Sequence, residues 1–157
     1  MKDIEIKIHG VRVKRLTRIP DERGTLMEVL RADEDFFERF GQAYVTSVYP
    51  GVVKAWHCHR KQTDHFCVVS GMIKLVLADI RADSPTRGVI QEFFLGDDNP
   101  LLVKIPPGVH HGMKGLGEPR VIALNIPTVP YDHTTPDEIR LPWNSPEIPY
   151  DWNVTFK

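Results

Sequence analysis

The chain has 157 residues, a formal net charge of −1 and an apolar fraction of 41%. This length suits one domain with a single hydrophobic core, and we expect residues 1–157 to form it. The near-neutral charge argues against nucleic acid or an anionic membrane as the main partner. Because it contains neither a long apolar segment nor a signal-peptide pattern, the sequence indicates a cytoplasmic protein.

Most apolar segments are short, rich in Val, Ile and Phe, and separated by Gly, Pro, Asp or Asn. This pattern is typical of all-β sandwiches and barrels. The clearest hairpin turns at Ser70-Gly71, because glycine tolerates positive φ between two runs of high β propensity. In chain order, the predicted strands lie at residues 4–8, 11–16, 44–49, 52–59, 65–71, 72–80, 88–95, 100–105 and 120–126.

One segment, RADEDFFERFG at residues 31–41, predicts a short helix. An aspartate near its start can cap it, and Phe36, Phe37 and Phe40 form an apolar stripe. Gly41 can end it. We expect the three phenylalanines to belong to the core.

The C-terminal part of the sequence is rich in proline beyond residue 126. Proline fixes φ and is excluded from helix interiors, so this part is predicted to be an extended tail laid over the barrel. Trp143 and Trp152 are large enough to anchor the tail by packing against that surface.

Histidines are concentrated in one stretch, where His57, His59 and His65 lie within nine positions. On a strand, side chains alternate between the two faces, so His57 and His59 point the same way. His65 points away from its neighbour Asp64 for the same reason. Its expected role is structural.

A second histidine pair, His110 and His111, follows a Pro-Pro-Gly turn far downstream. A strand pair and this remote turn can bring a carboxylate and a third imidazole to one point inside a barrel. Two or three imidazoles with one carboxylate suit Fe(II), Mn, Ni or Zn. These residues alone leave three interpretations open: a metal cage, an acid–base site for a sugar, and a polar hairpin.

The spacing of these residues resembles the two motifs of the cupin superfamily. The pattern G-x5-H-x-H-x4-D-x6-G over residues 51–71 is similar to the first motif, with aspartate where glutamate is usual. The pattern P-x-G-x2-H over residues 106–111 is similar to the second, without its leading glycine and trailing asparagine. The resemblance implies an all-β cupin jelly-roll barrel, a double-stranded β-helix, with one short helix and an extended tail.

A narrower resemblance covers roughly residues 21–152. Five segments together resemble the dTDP-4-dehydrorhamnose 3,5-epimerase family, whose members are cupin-type jelly rolls that act on 4-keto nucleotide sugars without metal. These segments are DERG (21–24), GVVKAWH (51–57), VVSGMIKLVLADIRADSPT (68–86), IPPGVHHGM (105–113) and LPWNSPEIPYDW (141–152).

The resemblance implies roles for particular residues. His57 matches the catalytic base and His111 a second histidine of the site, while Arg23 and Lys54 match arginines that bind the diphosphate. Gln62 matches a glutamine of the family pattern. An imidazole titrates near pH ~6.5, which suits removal of the acidic proton beside a ketone, and cationic side chains suit phosphate.

Three positions depart from the family pattern. The family's catalytic tyrosine falls on or near Ala123, and Tyr131 is the candidate to replace it. The aspartate that orients the base in the family would lie beyond Lys157. The lysine that stabilises the enolate corresponds to Asp64, whose negative charge would repel a developing enolate.

A cation bound to Asp64 would place positive instead of negative charge beside the developing enolate. The first hypothesis is therefore that His57, His59, Asp64 and His111 hold one divalent metal ion, with no organic cofactor. The second follows the nucleotide-sugar 3,4-ketoisomerases, whose HxHK segment resembles HCHRK here and works without metal. In that case His57 and His59 shuttle protons and Asp64 orients one of them.

The favoured function is epimerisation or isomerisation of a 4-keto nucleotide sugar in polysaccharide or deoxysugar synthesis. Two alternatives remain: a metal-dependent cupin oxygenase or small-molecule isomerase, and a cupin that binds sugar nucleotides without catalysis. The expected partner is a small nucleotide sugar. A homodimer is also expected, because an open sheet edge is a liability and jelly rolls of this family pair or exchange edge strands.

Overall fold

The computed structural model describes residues 4–155. This part of the chain contains β-strands and turns but no α-helix, which confirms the all-β prediction. It therefore also contains no helix that could cross a membrane. The strands are β1 (Arg12–Arg15), β2 (Arg18–Asp21), β3 (Gly24–Met27), β4 (Tyr44–Val48), β5 (Val53–His59), β6 (Asp64–Ser70), β7 (Met72–Ala78), β8 (Ile90–Gly96), β9 (Leu101–Ile105), β10 (His110–Leu116), β11 (Val121–Asn125) and β12 (Glu138–Arg140).

Ten of these strands form two five-stranded sheets, in which neighbouring strands run antiparallel. The first sheet has the order β1-β9-β6-β11-β4 and the second β12-β5-β10-β7-β8. Strands β2 and β3 form a separate hairpin. The two sheets make the cupin jelly roll.

Alternation along the strands produces the core between the sheets. Phe66 and Val68 of β6 point inward, and so do Ile73, Leu75 and Leu77 of β7. The opposite faces of both sheets carry smaller apolar clusters under the connecting segments. Because inward positions alternate with outward ones, a polar side chain at an inward position of β5, β6 or β10 enters the barrel.

The predicted helix at residues 31–41 is wrong. The segment forms turns, with Phe36 buried and Phe40 66% exposed, so no apolar stripe exists. Its acidic side chains bind β1 instead: Glu34 lies 2.6 Å from Lys14 and Asp35 binds Arg12. These ion pairs hold the segment flat against the first sheet.

Nine strands were predicted, and eight of them match β1, β4 to β9 and β11. Residues 4–8 are not a strand, because Lys7 N–H and the Glu5 carbonyl bond the Gln91 side chain. Strands β2, β3, β10 and β12 were not predicted. Strand β10, HHGMKGL, contains two glycines, which have low β propensity. In the tail, Trp152 is buried as expected, whereas Trp143 is 57% exposed and is held through its backbone carbonyl, which accepts a hydrogen bond from Trp56 Nε1 at 3.2 Å.

Candidate active site

A cavity of about 500 Å³ lies between the two sheets. Both sheets contribute to its wall, because β4, β6 and β11 face β5, β7 and β10 across it. Side chains of β12 and of the following tail, Glu138, Arg140, Leu141 and Trp143, complete the lining at what we call its mouth. The lining residues are Tyr44, Thr46, Val53, Lys54, Ala55, Trp56, His57, Phe66, Leu75, His111, Gly112, Met113, Asn125, Glu138, Arg140, Leu141 and Trp143.

Two histidines of the second sheet lie side by side in this cavity. His57 on β5 and His111 on β10 are direct partners in the strand register, and their ring centroids are 4.0 Å apart. His59, two positions along β5, has its ring centroid 5.5 Å from that of His57. The pairing of the two strands thus brings together imidazoles that are far apart in sequence.

Asp64 lies beside the histidines and is almost completely buried, at 1% exposure. Its Oδ1 accepts hydrogen bonds from Gln62 Nε2 and Asn125 Nδ2, both at 2.8 Å. Its Oδ2 faces His59 Nε2 at 3.5 Å and His111 Nε2 at 3.4 Å. One carboxylate oxygen is therefore held by amides while the other faces two imidazoles.

The second nitrogen of each of these imidazoles identifies its tautomer. His59 Nδ1 lies 3.2 Å from the Asp137 carbonyl and His111 Nδ1 lies 3.1 Å from the Val109 carbonyl. A carbonyl only accepts, so both Nδ1 atoms carry a hydrogen, and the Nε2 atom of each ring faces Asp64. His59 Nε2 is buried without a hydrogen-bond partner. A hydrogen on Nε2 or a bound cation would each link these nitrogens to the carboxylate oxygen that they face.

The local electrostatics keep His57 neutral. Burial lowers the pKa of His57 well below its ordinary value, and the neighbouring rings of His111 and His59 and the guanidinium of Arg140 lower it further. Burial also lowers the pKa of His111, against the opposing charge of Asp64. A neutral imidazole beside a cavity is able to accept a proton.

Two of the predicted binding residues lie at or behind the cavity wall. Lys54 lines the cavity, and its Nζ donates to the Ser47 carbonyl at 2.7 Å. Gln62 is buried and its amide holds Asp64, and it lines the second cavity, described below, rather than this one.

The other two predicted binding residues are not brought to this cavity. Arg23 lies at the turn of the β2-β3 hairpin, where its guanidinium binds Asp21 at 2.6 Å and its side chain is 85% exposed. Tyr131 lines a second cavity of about 410 Å³, together with His59 and Asp137. The tyrosine proposed from the sequence to replace the missing one thus lies apart from His57.

Sequence reasoning missed Tyr44, Asn125 and Arg140, which all line the main cavity. Tyr44 and Asn125 occupy inward positions of strands that were predicted, so alternation could have indicated them. Arg140 lies on the short strand β12, whose pattern gave no signal.

Comparison with known proteins gives a consistent result. A family model described as dTDP-4-dehydrorhamnose 3,5-epimerase matches residues 5–157. The chain is 43% identical over 150 residues to the spore coat polysaccharide biosynthesis protein SpsL of Bacillus subtilis, covering 96% of this chain and 99% of that protein. It is also 43% identical over 149 residues to the probable low-salt glycan biosynthesis epimerase Agl13 of Haloferax volcanii, covering 94% and 96% of the two chains.

Two solved structures are also similar. A dTDP sugar isomerase from Desulfovibrio desulfuricans superposes with a TM-score of 0.90 at 35% identity, covering 96% of this chain and 95% of that one. A dTDP-4-dehydrorhamnose 3,5-epimerase from Bacillus anthracis, solved with TDP and PPi bound, superposes with a TM-score of 0.84 at 26% identity, covering 99% and 91%.

Proposed function

The chain belongs to the dTDP-4-dehydrorhamnose 3,5-epimerase family, and we propose that it moves a proton beside the ketone of a 4-keto nucleotide sugar with His57 as general base. The family consists of enzymes that act on nucleotide sugars. This membership favours epimerisation or isomerisation over an oxygenase or a binding protein without catalysis. The names of SpsL and Agl13 support a role in polysaccharide or glycan synthesis.

One observation carries this proposal: a neutral imidazole, His57, lines an internal cavity beside a second imidazole and a buried carboxylate. A hydrogen on the carbon next to a ketone is acidic, because the resulting anion is delocalised onto the oxygen. His57 accepts this proton. His111, at a ring distance of 4.0 Å, is placed to interact with the same substrate.

The nucleotide diphosphate is proposed to lie at the mouth of the cavity. Lys54 and Arg140 line the cavity. Arg140 is already paired with Glu138 at 2.9 Å, so Lys54 supplies most of the positive charge that suits phosphate oxygens. The exposed ring of Trp143 is available to stack on a base. The bound TDP of the Bacillus anthracis structure supports this class of ligand.

Solvent deuterium exchange tests the proposal. With dTDP-4-keto-6-deoxyhexose in deuterium oxide, the protein should incorporate deuterium next to the ketone. His57→Ala should slow this by about 10²- to 10⁴-fold, the usual contribution of general base catalysis. His133→Ala, a change in the exposed tail, is the matched control. Tight binding of the nucleotide sugar without exchange would overturn the proposal.

A divalent metal ion is a second proposal, favoured by the donor atoms themselves. One ligand atom from each of His57, His59 and His111 lies within 4.8 Å of the others, and Asp64 Oδ2 is 3.4–3.5 Å from two of them. The Nδ1 hydrogen bonds of His59 and His111 to carbonyls are the arrangement that orients metal-binding imidazoles. An ion held by His59, His111 and Asp64 would leave the lone pair of His57 free to accept a proton, and it would stabilise negative charge on the substrate oxygen.

Elemental analysis tests the metal directly. Protein purified without a polyhistidine tag should contain close to one divalent ion per chain, and His59→Ala should lower that ratio at least tenfold. His133→Ala should leave it unchanged. A ratio near zero in the unaltered protein, with exchange activity that survives chelation, would contradict the metal and leave the proton transfer in place.

A homodimer is the third proposal. The β2-β3 hairpin pairs with neither large sheet and exposes Ile19 and Leu26 by 57% and 61%. Arg23, which the family resemblance assigns to the diphosphate, is at its tip and does not line the cavity of its own chain. A second copy that received the hairpin would cover the apolar side chains and supply Arg23 to its cavity.

Sedimentation equilibrium should give twice the chain mass of 18.0 kDa. Leu26→Glu should shift the equilibrium to single chains, while Glu22→Gln, a surface change on the same hairpin, should not. A single-chain mass for the unaltered protein at micromolar concentration would contradict the dimer.

A further inference from the structure

The two walls of the main cavity carry different chemistry. His57 and His111 project from the second sheet, on β5 and β10. Tyr44 and Asn125 project from the first sheet, where they are direct partners in the β4-β11 register. A substrate between the sheets is therefore exposed to imidazoles on one side and to a phenol on the other.

The phenol oxygen of Tyr44 is held by a hydrogen bond from Asn125. Asn125 Nδ2 donates to the Tyr44 oxygen at 2.9 Å and to Asp64 Oδ1 at 2.8 Å. Because the Tyr44 oxygen is the acceptor in this bond, its own hydrogen remains available. Within residues 4–155 that hydrogen has no recorded protein acceptor, and it can point into the cavity.

We propose that Tyr44 is the proton donor that acts on the face of the sugar opposite to His57, and this rests on the proposed function. Inversion at a carbon beside a ketone requires removal of a proton from one face and its return to the other. The two walls supply these two groups. This position also explains how the chain acts with Ala123 at the place of the family's tyrosine.

The proposed step is balanced in atoms and charge. His57 takes the proton from the carbon next to the ketone, and the C–H electron pair moves into the enolate. The enolate carbon then forms a new C–H bond with the hydrogen of Tyr44 on the other face. This leaves an imidazolium and a phenolate, and transfer of one proton between them through cavity water restores both groups.

The surroundings of Tyr44 suit a donor. Burial raises the pKa of its phenol, so the hydroxyl is protonated before the reaction. The hydrogen bond from Asn125 acts in the opposite direction, because it stabilises the phenolate that forms. Tyr131 has no such position, since it lines the second cavity.

This assignment also separates two reactions that the family resemblance left open. An isomerase that moves a proton between neighbouring carbons on one face needs only His57 and His59. An epimerase needs a donor on the opposite face. A phenol on the wall facing the imidazoles therefore favours epimerisation.

The test uses Tyr44→Phe in the full-length protein, with Tyr49→Phe as the matched control because Tyr49 is exposed and does not line the cavity. In deuterium oxide, Tyr44→Phe should still exchange the substrate hydrogen within about threefold of the unaltered rate, because His57 is intact. Formation of the inverted sugar should fall by about 10²-fold or more, as expected for loss of a general acid. Tyr49→Phe should change neither rate.

Three outcomes have distinct meanings. Inversion at the unaltered rate in Tyr44→Phe, or an equal loss of exchange and inversion, would overturn the role of Tyr44 while the proposed function stands. Absence of both exchange and inversion in the unaltered protein would overturn the proposed function itself. Incorporation of 3-fluorotyrosine at position 44, which keeps the ring and the fold, should change the inversion rate without changing exchange, and an unchanged inversion rate would also overturn the proposal.

Discussion

Two carboxylates are almost fully buried in this barrel, Asp64 at 1% and Asp79 at 0% exposure. They differ in the hydrogen-bond donors that surround them. Asp79 Oδ2 accepts hydrogen bonds from Arg81 at 2.8 Å, Ser84 at 2.5 Å and Thr86 at 2.7 Å, and its Oδ1 accepts another from Arg81 at 2.9 Å. Asp64 has two amide donors on one oxygen and imidazoles beyond normal hydrogen-bond distance on the other.

The difference indicates what each group does. Asp79 directly follows β7 and has a fixed cation and two hydroxyls as partners, so its charge is compensated within the loop that it organises. Burial alone would raise the pKa of Asp79, but the hydrogen bonds from Arg81, Ser84 and Thr86 hold it well below its usual range. Asp64 has no fixed cation and leaves one oxygen to groups that can change their protonation. A buried charge that is incompletely paired is a sign of chemistry rather than of structure.

Substitution of Asp64 gives the sharpest test of this difference and the largest expected effect. Asp64→Asn keeps the shape, and the new amide can donate to an imidazole lone pair. We expect a loss of about 10²-fold or more in deuterium exchange, because the negative charge that faces His111, the ring next to His57, is removed. The free energy of unfolding in urea should change by less than about 1 kcal/mol, since an uncompensated buried charge is lost. A large loss of stability with normal exchange would show that Asp64, like Asp79, has a structural role.

The matching substitution, Asp79→Asn, should give the opposite result. It leaves the Arg81 guanidinium without its partner and weakens the bonds to Ser84 and Thr86. We expect the free energy of unfolding to fall by about 2 to 3 kcal/mol, with exchange activity unchanged at temperatures where the protein is folded. Asp83→Asn, at an exposed position of the same loop, is the control and should change neither.

The comparison extends to the cations of the two regions. The Arg81 guanidinium forms an ion pair with Asp79 at 2.8 Å. Lys54 has no ion-pair partner recorded among residues 4–155, so its charge remains available for an anionic ligand. Lys54→Met should raise the dissociation constant for dTDP by about tenfold, or ~1.4 kcal/mol. Isothermal titration measures this, with Lys7→Met as a control outside the cavity. An unchanged constant would place the diphosphate elsewhere.

How far the sequence predicts this molecule differs between the two regions. Eight strands follow from short runs of high β propensity between turn residues. The motif spacing correctly indicated that residues from β5, β6 and β10 meet inside a barrel, although β10 itself was not predicted to be a strand. The segment at 31–41 could not be predicted, because ion pairs to β1 from Glu34 and Asp35 outweigh its helical pattern. Tail and hairpin strands are too short for periodicity to be detected.

For the site as well, the sequence predicts relations within one strand but not contacts between different strands. The spacing of His57 and His59 predicts that they share a face, because alternation is local. The role of Gln62 as a support for Asp64 and the approach of Tyr44 to Asn125 depend on which strands are neighbours, and neighbours are a property of the whole fold. A strand-order hypothesis would have been needed to identify either.

The smallest expected effect is the pH dependence of stability, and it tests the Asp79 side of the comparison alone. A carboxyl whose pKa is lower in the folded state contributes stability above its unfolded pKa, near ~3.9, and this contribution is lost as the pH falls towards the folded value. Between pH 6 and pH 3 the unaltered protein should therefore lose about 1 kcal/mol more of its free energy of unfolding than Asp79→Asn does. Urea unfolding of both proteins at the two pH values measures this difference. Because the other carboxyls are common to both proteins, their contributions cancel in it, and a difference of zero would mean that the hydrogen bonds to Asp79 do not favour its ionised form.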